Sequence, residues 1–356
     1  MSVQPTRRGA ASQPKNRFAA THRERDPDWQ DEIEEPLPRT QFIPDHSATL
    51  ITYNNSPDVG FEASINPYRG CEHGCIYCYA RPTHEYLGFS AGLDFESRIL
   101  VKEHAPELLR RELAAPRWKP QVLSLSGVTD PYQPIERRLR LTRRCLEVLA
   151  ISRNPVTIVT KNGLIGRDRD LLGELARHQA ACVCISVTSL DPELRAVLEP
   201  RTSPPAARLA AIRVLAQAGI PVVVLVAPVI PGLTDHELPA ILSAAAEAGA
   251  RFAGMQMLRL PLAVAPLFEA WLAQHLPDRR DKVLSRIRAI RGGKLNDSRF
   301  GFRTKGEGFF AQQVQQLFHV GCRRAGLTAG WPELSTAAFR RPGDAQLDLF
   351  SPPLPP

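Results

Sequence analysis

The chain has 356 residues, 43% of them hydrophobic, with a formal charge of +8 at pH 7 and a pI near 9.3. That supports one large core with extensions, in a basic protein for which a nucleic-acid partner is allowed but not required. The seven cysteines are odd in number and three crowd into eight residues, which excludes a secreted disulfide framework and points to metal in a reducing cytosol. The N-terminus is basic and polar, with no signal-peptide core, and no apolar run reaches the roughly 18 residues of a membrane span, so the expected location is cytoplasmic, without a membrane partner.

Residues 1–45 read as a disordered arm, rich in Arg, Pro and Gln and then acidic, with little to bury. From there the pattern alternates. Strands are predicted at 61–65, 122–125, 156–160, 182–187, 222–226 and 252–258. Helices are predicted at 141–152, 168–178, after Ser203, at 235–248 and at 264–275, with Ser203 as a cap and Pro204 in the first turn. Short β-rich runs alternating with longer helical patterns mean βαβ units and a parallel sheet. Six units make an α/β fold of the partial TIM-like (βα)6 barrel type, occupying residues 46–277. A basic extension follows over 278–340, and residues 341–356 read as a flexible Pro-rich tail.

Barrel chemistry sits where strands end. The polar residues at those places are the cysteine loop after the first strand, Asp130 after the second, Lys161 after the third and Ser186 at the end of the fourth. The loop reads NPYRGCEHGCIYCYAR, with Cys71, Cys75 and Cys78 spaced C-x3-C-x2-C. Three thiolates bind three irons of a cubane and leave the fourth iron open to a small chelating molecule. Gly70 and Gly74 let the backbone wrap closely. The competing reading is zinc, which wants four ligands; His73, between two of the cysteines, is the nearest candidate and is poorly placed for the same ion. Cys145, Cys182, Cys184 and Cys322 read as packing residues.

C-x3-C followed by x-aromatic-C at the end of a first barrel strand resembles the radical S-adenosylmethionine (SAM) superfamily. NPYRGCEHGCIYCYAR together with SGVTDPYQPIE and VTIVTKN resembles its spore-photoproduct-lyase-like branch, over about residues 53 to 310. The resemblance implies a [4Fe–4S] cluster on Cys71, Cys75 and Cys78. SAM would chelate the open iron and be cleaved reductively to a 5′-deoxyadenosyl radical, with a flavodoxin or ferredoxin as electron donor. It further implies Tyr77, Asp130, Lys161 and Ser186 around SAM and Tyr79 near the substrate radical. Where spore photoproduct lyase carries a hydrogen-donor cysteine, this chain has Val128.

Residues 278 to 308 hold ten basic and four acidic side chains together with Phe300 and Phe302. They suit a nucleic-acid groove or, equally, a solvated amphipathic helix with Val283, Leu284, Ile287 and Ile290 as its buried stripe. In the tail, Gln346-Leu347-Asp348-Leu349-Phe350 resembles the peptide by which bacterial polymerases and repair proteins dock on the DNA sliding clamp, with Gln346, Leu347, Leu349 and Phe350 as the contacting residues. The sequence therefore reads as a radical SAM enzyme acting on DNA or another nucleic acid. The same core acting on a protein, tRNA or small molecule, or a non-catalytic zinc or electron-transfer module, remain the alternatives.

Overall fold

The computed structural model describes residues 8–20 and 38–343; the tail motif Gln346–Phe350 lies outside them. The strands in chain order are β1 (Gln41–Pro44), β2 (Ile51–Tyr53), β3 (Ala63–Ile65), β4 (Tyr68–Arg69), β5 (Arg98–Val101), β6 (Leu123–Leu125), β7 (Val156–Thr160), β8 (Ala181–Ser186), β9 (Val222–Val229), β10 (Phe252–Met257) and β11 (Thr328–Ala329). Six of them, β3 and β6 to β10, pair in parallel in succession. They are the six predicted barrel strands, each within a few residues of its expected bounds.

Two short strands extend this sheet at its ends, giving the order β11-β10-β9-β8-β7-β6-β3-β2, with β2 antiparallel to β3 and β11 parallel to β10. β2 and β11 do not pair with each other, so the barrel is open on that side. A second sheet of order β1-β5-β4 stands beside the cysteine loop. Helices Leu141–Ser152 and Val264–His275 match their predicted bounds. Val, Ile, Leu and Ala fill much of the interior along β6 to β9; buried positions run unbroken in β6 and β8 and over the first five residues of β9, where helices cover the outer face, while β7 alternates buried and half-buried.

Two expectations need correction, and one open alternative is decided for part of its segment. Ser203 does not cap the helix Pro205–Gln217: Pro204 holds the cap position, and the Ser203 hydroxyl instead accepts from Gly163 N (2.9 Å) and donates to Asn162 Oδ1 (3.0 Å). The first 45 residues are not uniformly an unattached arm. Residues 8–20 lie against the cysteine-loop region, and β1 pairs with β5, because polar groups fasten these segments where apolar area is scarce. In the basic segment, Pro277–Ala289 is a helix whose Val283, Leu284 and Ile287 are buried, with Ile290 beyond its end, so this stretch is the amphipathic helix. Its apolar stripe packs in the same cluster as Ile76, Tyr77, Phe268 and Trp271, and so supports the cysteine loop from behind. Among the described residues no helix is long and apolar enough to cross a membrane.

Candidate active site

The cysteine loop leaves β3 at Ile65 and turns at Gly70 and Gly74, which have φ of +80° and +67°. Both glycines also sit where a side chain has no room: a Cβ on Gly74 would lie 2.7 Å from Glu96 Oε2, and one on Gly70 would lie 3.0 Å from the Arg98 and Phe95 carbonyls. The loop's own polar atoms are tied down from below. Arg81, fully buried, donates to the carbonyls of Gly74, Cys75, Ala91 and Gly92 and pairs with the equally buried Glu96. Glu96 in turn accepts from Gly9 N (2.9 Å) and Ala10 N (2.8 Å). Gln133 bridges Gly70 O and Glu72 N, at 3.2 and 3.0 Å.

Cys71 and Cys75 are buried and Cys78 is half-buried. Burial pushes all three thiols above their ordinary pKa, and for Cys71 the neighbouring Asp130, Cys75 and Cys78 add to the effect. Three desolvated thiols side by side ionise readily only when a metal supplies compensating positive charge. Their chemistry and wrapping fit an iron–sulfur cluster. The zinc alternative loses its fourth ligand, because the His73 ring is held elsewhere: Nδ1 lies 3.3 Å from Asp130 Oδ2 and Nε2 lies 3.3 Å from Asn162 Nδ2. Among the described residues no group of three or more His, Cys, Asp or Glu converges as a single ion requires.

Asp130 lies in the loop after β6, five residues past Leu125. Its Oδ1 accepts from Thr160 Oγ1 (2.7 Å) and Tyr132 N (2.8 Å), and its Oδ2 accepts from Lys161 N (2.7 Å) and faces His73. Burial would raise its pKa, but His73 and these donors outweigh burial and lower it. Asp130 thus fixes the cysteine loop through His73 and pins the end of β7.

Lys161, Ser186 and Tyr77 are brought together. Lys161 Nζ donates to Ser186 Oγ and to Ala227 O (2.9 Å), and sits 5.8 Å from the centre of the Tyr77 ring. Ala227 O also accepts from Ser186 Oγ and Thr188 Oγ1. The Tyr77 hydroxyl donates to Glu199, a buried carboxylate that pairs with Arg208 and lies 3.8 Å from Lys161 Nζ. Burial would raise the Glu199 pKa, but Arg208 and Lys161 hold it down at about 2. Glu199 and Arg208 were not anticipated from the sequence, where charged residues in and beside helices read as surface.

Tyr79 stands at the mouth, 47% exposed, its hydroxyl donating to Gly127 O (2.8 Å) and its ring 5.3 Å from the Arg259 guanidinium. Val128, at the adjoining turn, is 38% exposed. Its backbone N–H joins those of Gly127 and Thr129 on Asn66 Oδ1.

A cysteine loop after the first of six parallel βα units defines a cluster-binding partial barrel, and the comparisons with known proteins agree. The family model for the radical SAM superfamily matches residues 65–245, and the chain belongs to that superfamily. Its members are enzymes that use a [4Fe–4S] cluster and SAM. An uncharacterized protein of Mycobacterium tuberculosis, Rv2578c, is 40% identical over 238 residues, covering 66% of this chain and 69% of that one. An uncharacterized protein of Methanocaldococcus jannaschii, MJ0683, is 30% identical over 178 residues, 50% of this chain and 64% of that one. Among solved structures, spore photoproduct lyase complexed with dinucleoside spore photoproduct superimposes with a TM-score of 0.58 at 17% identity over 81% of both chains, so the two share a fold.

Proposed function

We propose that this radical SAM enzyme acts on nucleic acid. With the cluster on Cys71, Cys75 and Cys78 and SAM bound, the cofactor supplies one-electron chemistry that ends in hydrogen abstraction from the substrate. The chain's own residues orient and enclose it. Lys161 and Ser186 offer a cation and a hydroxyl for a carboxylate or ribose at the barrel top, Tyr77 backs them, and Asp130 positions the loop through His73.

The observation that carries the substrate reading is the wall of the mouth. Residues 299–306 run from the end of β10 to the loop before β3: Met257 N donates to Thr304 O, Gly301 N donates to Asp58 Oδ1, and Arg303 pairs with Asp58. This crossing lies over the open side of the barrel and displays Phe300 and Phe302, 55% and 43% exposed, with Arg303 and Arg299 over their rings. Exposed aromatic faces among cationic side chains suit bases and phosphates of an unpaired strand. Val128 in place of a donor thiol argues for a reaction other than spore-photoproduct repair.

The test is anaerobic turnover of the reconstituted enzyme with reductant, SAM and, separately, single-stranded DNA, duplex DNA, tRNA, protein and small-molecule fractions. Stimulated 5′-deoxyadenosine release with a nucleic acid supports the reading. Stimulation by a protein or small-molecule fraction alone overturns it. Cluster assembly without any deoxyadenosine would return the non-catalytic module.

A further inference from the structure

Arg259 follows β10 by two residues and so stands at the same end of the barrel as the cysteine loop. Of the cations around it, Arg303 pairs with Asp58 and Ser56 and Arg299 with Asp297 and Glu307, while Arg291 donates to the carbonyls of Phe302 and Leu258 and leaves only its Nε without an acceptor. Among the described residues Arg259 has neither an ion pair nor a side-chain hydrogen bond, and its Nε is shut off from solvent with no acceptor. Asp58, the nearest acid acting on it, already serves Arg303 and Gly301 N. A donor taken out of water and left unpaired is costly, and a guanidinium more so; an acceptor from outside the described residues would satisfy it. Burial and the charge of Arg303 both disfavour the cationic form of Arg259, so the spot carries an excess of positive potential that an anion would relieve.

We propose that Arg259 is the anchor for one backbone phosphate of the substrate strand, holding it over Tyr79 at the barrel mouth; this rests on the nucleic-acid reading above. The guanidinium presents a planar fork suited to two oxygens of a phosphodiester. Tyr79 lies directly after Cys78, and its hydroxyl bond to Gly127 O fixes the ring against which Arg259 stacks. A phosphate gripped here leaves its neighbouring bases beside Tyr79 on one side and the exposed Phe300 and Phe302 on the other. The anchor thereby selects which nucleotide of the strand reaches the site of chemistry.

The experiment uses the reconstituted full-length enzyme with SAM, under anaerobic conditions. The probe is a labelled single-stranded oligothymidine in which one phosphodiester at a time is replaced by an uncharged methylphosphonate. The parent should lose affinity about tenfold at one linkage position and little at the others. Arg259→Gln should bind the unmodified strand about tenfold more weakly, with a salt dependence shallower by about 0.7, and should show no further loss at that linkage. Cluster absorbance and thermal unfolding of R259Q report folding. Additive losses in variant and linkage would mean that this charge is read elsewhere; the Arg259 assignment then falls while the nucleic-acid reading stands. If the parent binds no oligonucleotide, both fall. Should R259Q not fold, the parent scan still decides, since the absence of a single sensitive linkage overturns the anchor.

Discussion

Gly9→Ala adds one methyl group where the N-terminal segment crosses the cysteine loop. A Cβ there would lie 1.7 Å from Gly74 O, so the segment has to retreat by more than about 1 Å even to reach the tightest contacts proteins tolerate. Gly9 N and Ala10 N, now 2.9 and 2.8 Å from the Glu96 carboxylate, then leave hydrogen-bond range. Bonds to a buried charge are worth about 1.5–3 kcal/mol each, so the seat weakens by roughly 3–6 kcal/mol. The barrel does not depend on these bonds, and the loss should appear as local release of residues 8–18. The assay is limited trypsin cleavage after Lys15 and Arg17, located by mass spectrometry. Arg17 pairs with Glu85, and the intervening Asn16 is buried on the carbonyls of Glu85 and Phe89, so the parent should resist. Cleavage tracks the open population when opening is fast. A loss of even 3 kcal/mol predicts cutting on the order of a hundredfold faster, with the melting temperature little changed and the cluster bleaching faster in air. Equal protection of parent and variant would refute the reasoning, and so would a large fall in melting temperature.

The remaining predictions are these. Cys71→Ala, Cys75→Ala or Cys78→Ala should each abolish cluster assembly measured by iron content, whereas changes at Cys145, Cys182, Cys184 or Cys322, buried in strands and helices away from the loop, should not. Lys161→Ala should weaken SAM binding while the cluster still assembles, because Lys161 touches Ser186 and Ala227 and reaches the thiols only through its field, beside those of Arg81 and Arg208, while Asp130→Ala should impair cluster retention through the freed His73. His84, buried with neither ring nitrogen hydrogen-bonded, is driven by burial from 6.5 down to about 4. Its neutral form is required in the fold, so its contribution is complete above pH 6.5 and falls as pH drops toward 4, by about 3 kcal/mol in all; apoprotein denaturation of His84→Phe should lose that slope, and an unchanged slope would assign it elsewhere. A peptide spanning residues 343–352 should bind a bacterial sliding clamp with modest affinity, and Leu349→Ala with Phe350→Ala should abolish binding without changing deoxyadenosine formation or thermal stability.

The barrel was legible because its strands are short β-branched runs punctuated by Pro, Gly and Asp, and that pattern survives in the pairing of β3 and β6 to β10. The cysteine loop was legible because spacing alone encodes it. The seat of residues 8–20 was not, because it is made of backbone donors on Glu96 and of Asn16 on two carbonyls, with almost no apolar side chains to give a periodic signal. Asp130 lies five residues past β6, and its partners come from β7 and from His73, tertiary neighbours that no local pattern announces.

The buried charges explain why the loop needs more than its three cysteines. Burial alone keeps the thiols protonated, which opposes metal binding. Arg81 beneath the loop favours the Cys78 thiolate, Lys161 favours those of Cys75 and Cys78, and Arg208 favours that of Cys75. None of these cations would stay in place unpaired in so dry a site. Glu96 holds Arg81, and Glu199 holds Arg208 with Lys161 close by, so each carboxylate fixes a cation whose field reaches the sulfurs, although the charge of Glu199 itself opposes the Cys75 thiolate. Neutral isosteres at Glu96 or Glu199 would leave the packing nearly unchanged but release the cations from their orientation. The same two carboxylates also receive the N-terminal segment and the Tyr77 hydroxyl, so the electrostatic support of the thiolates and the closure of the protein around them depend on one set of bonds.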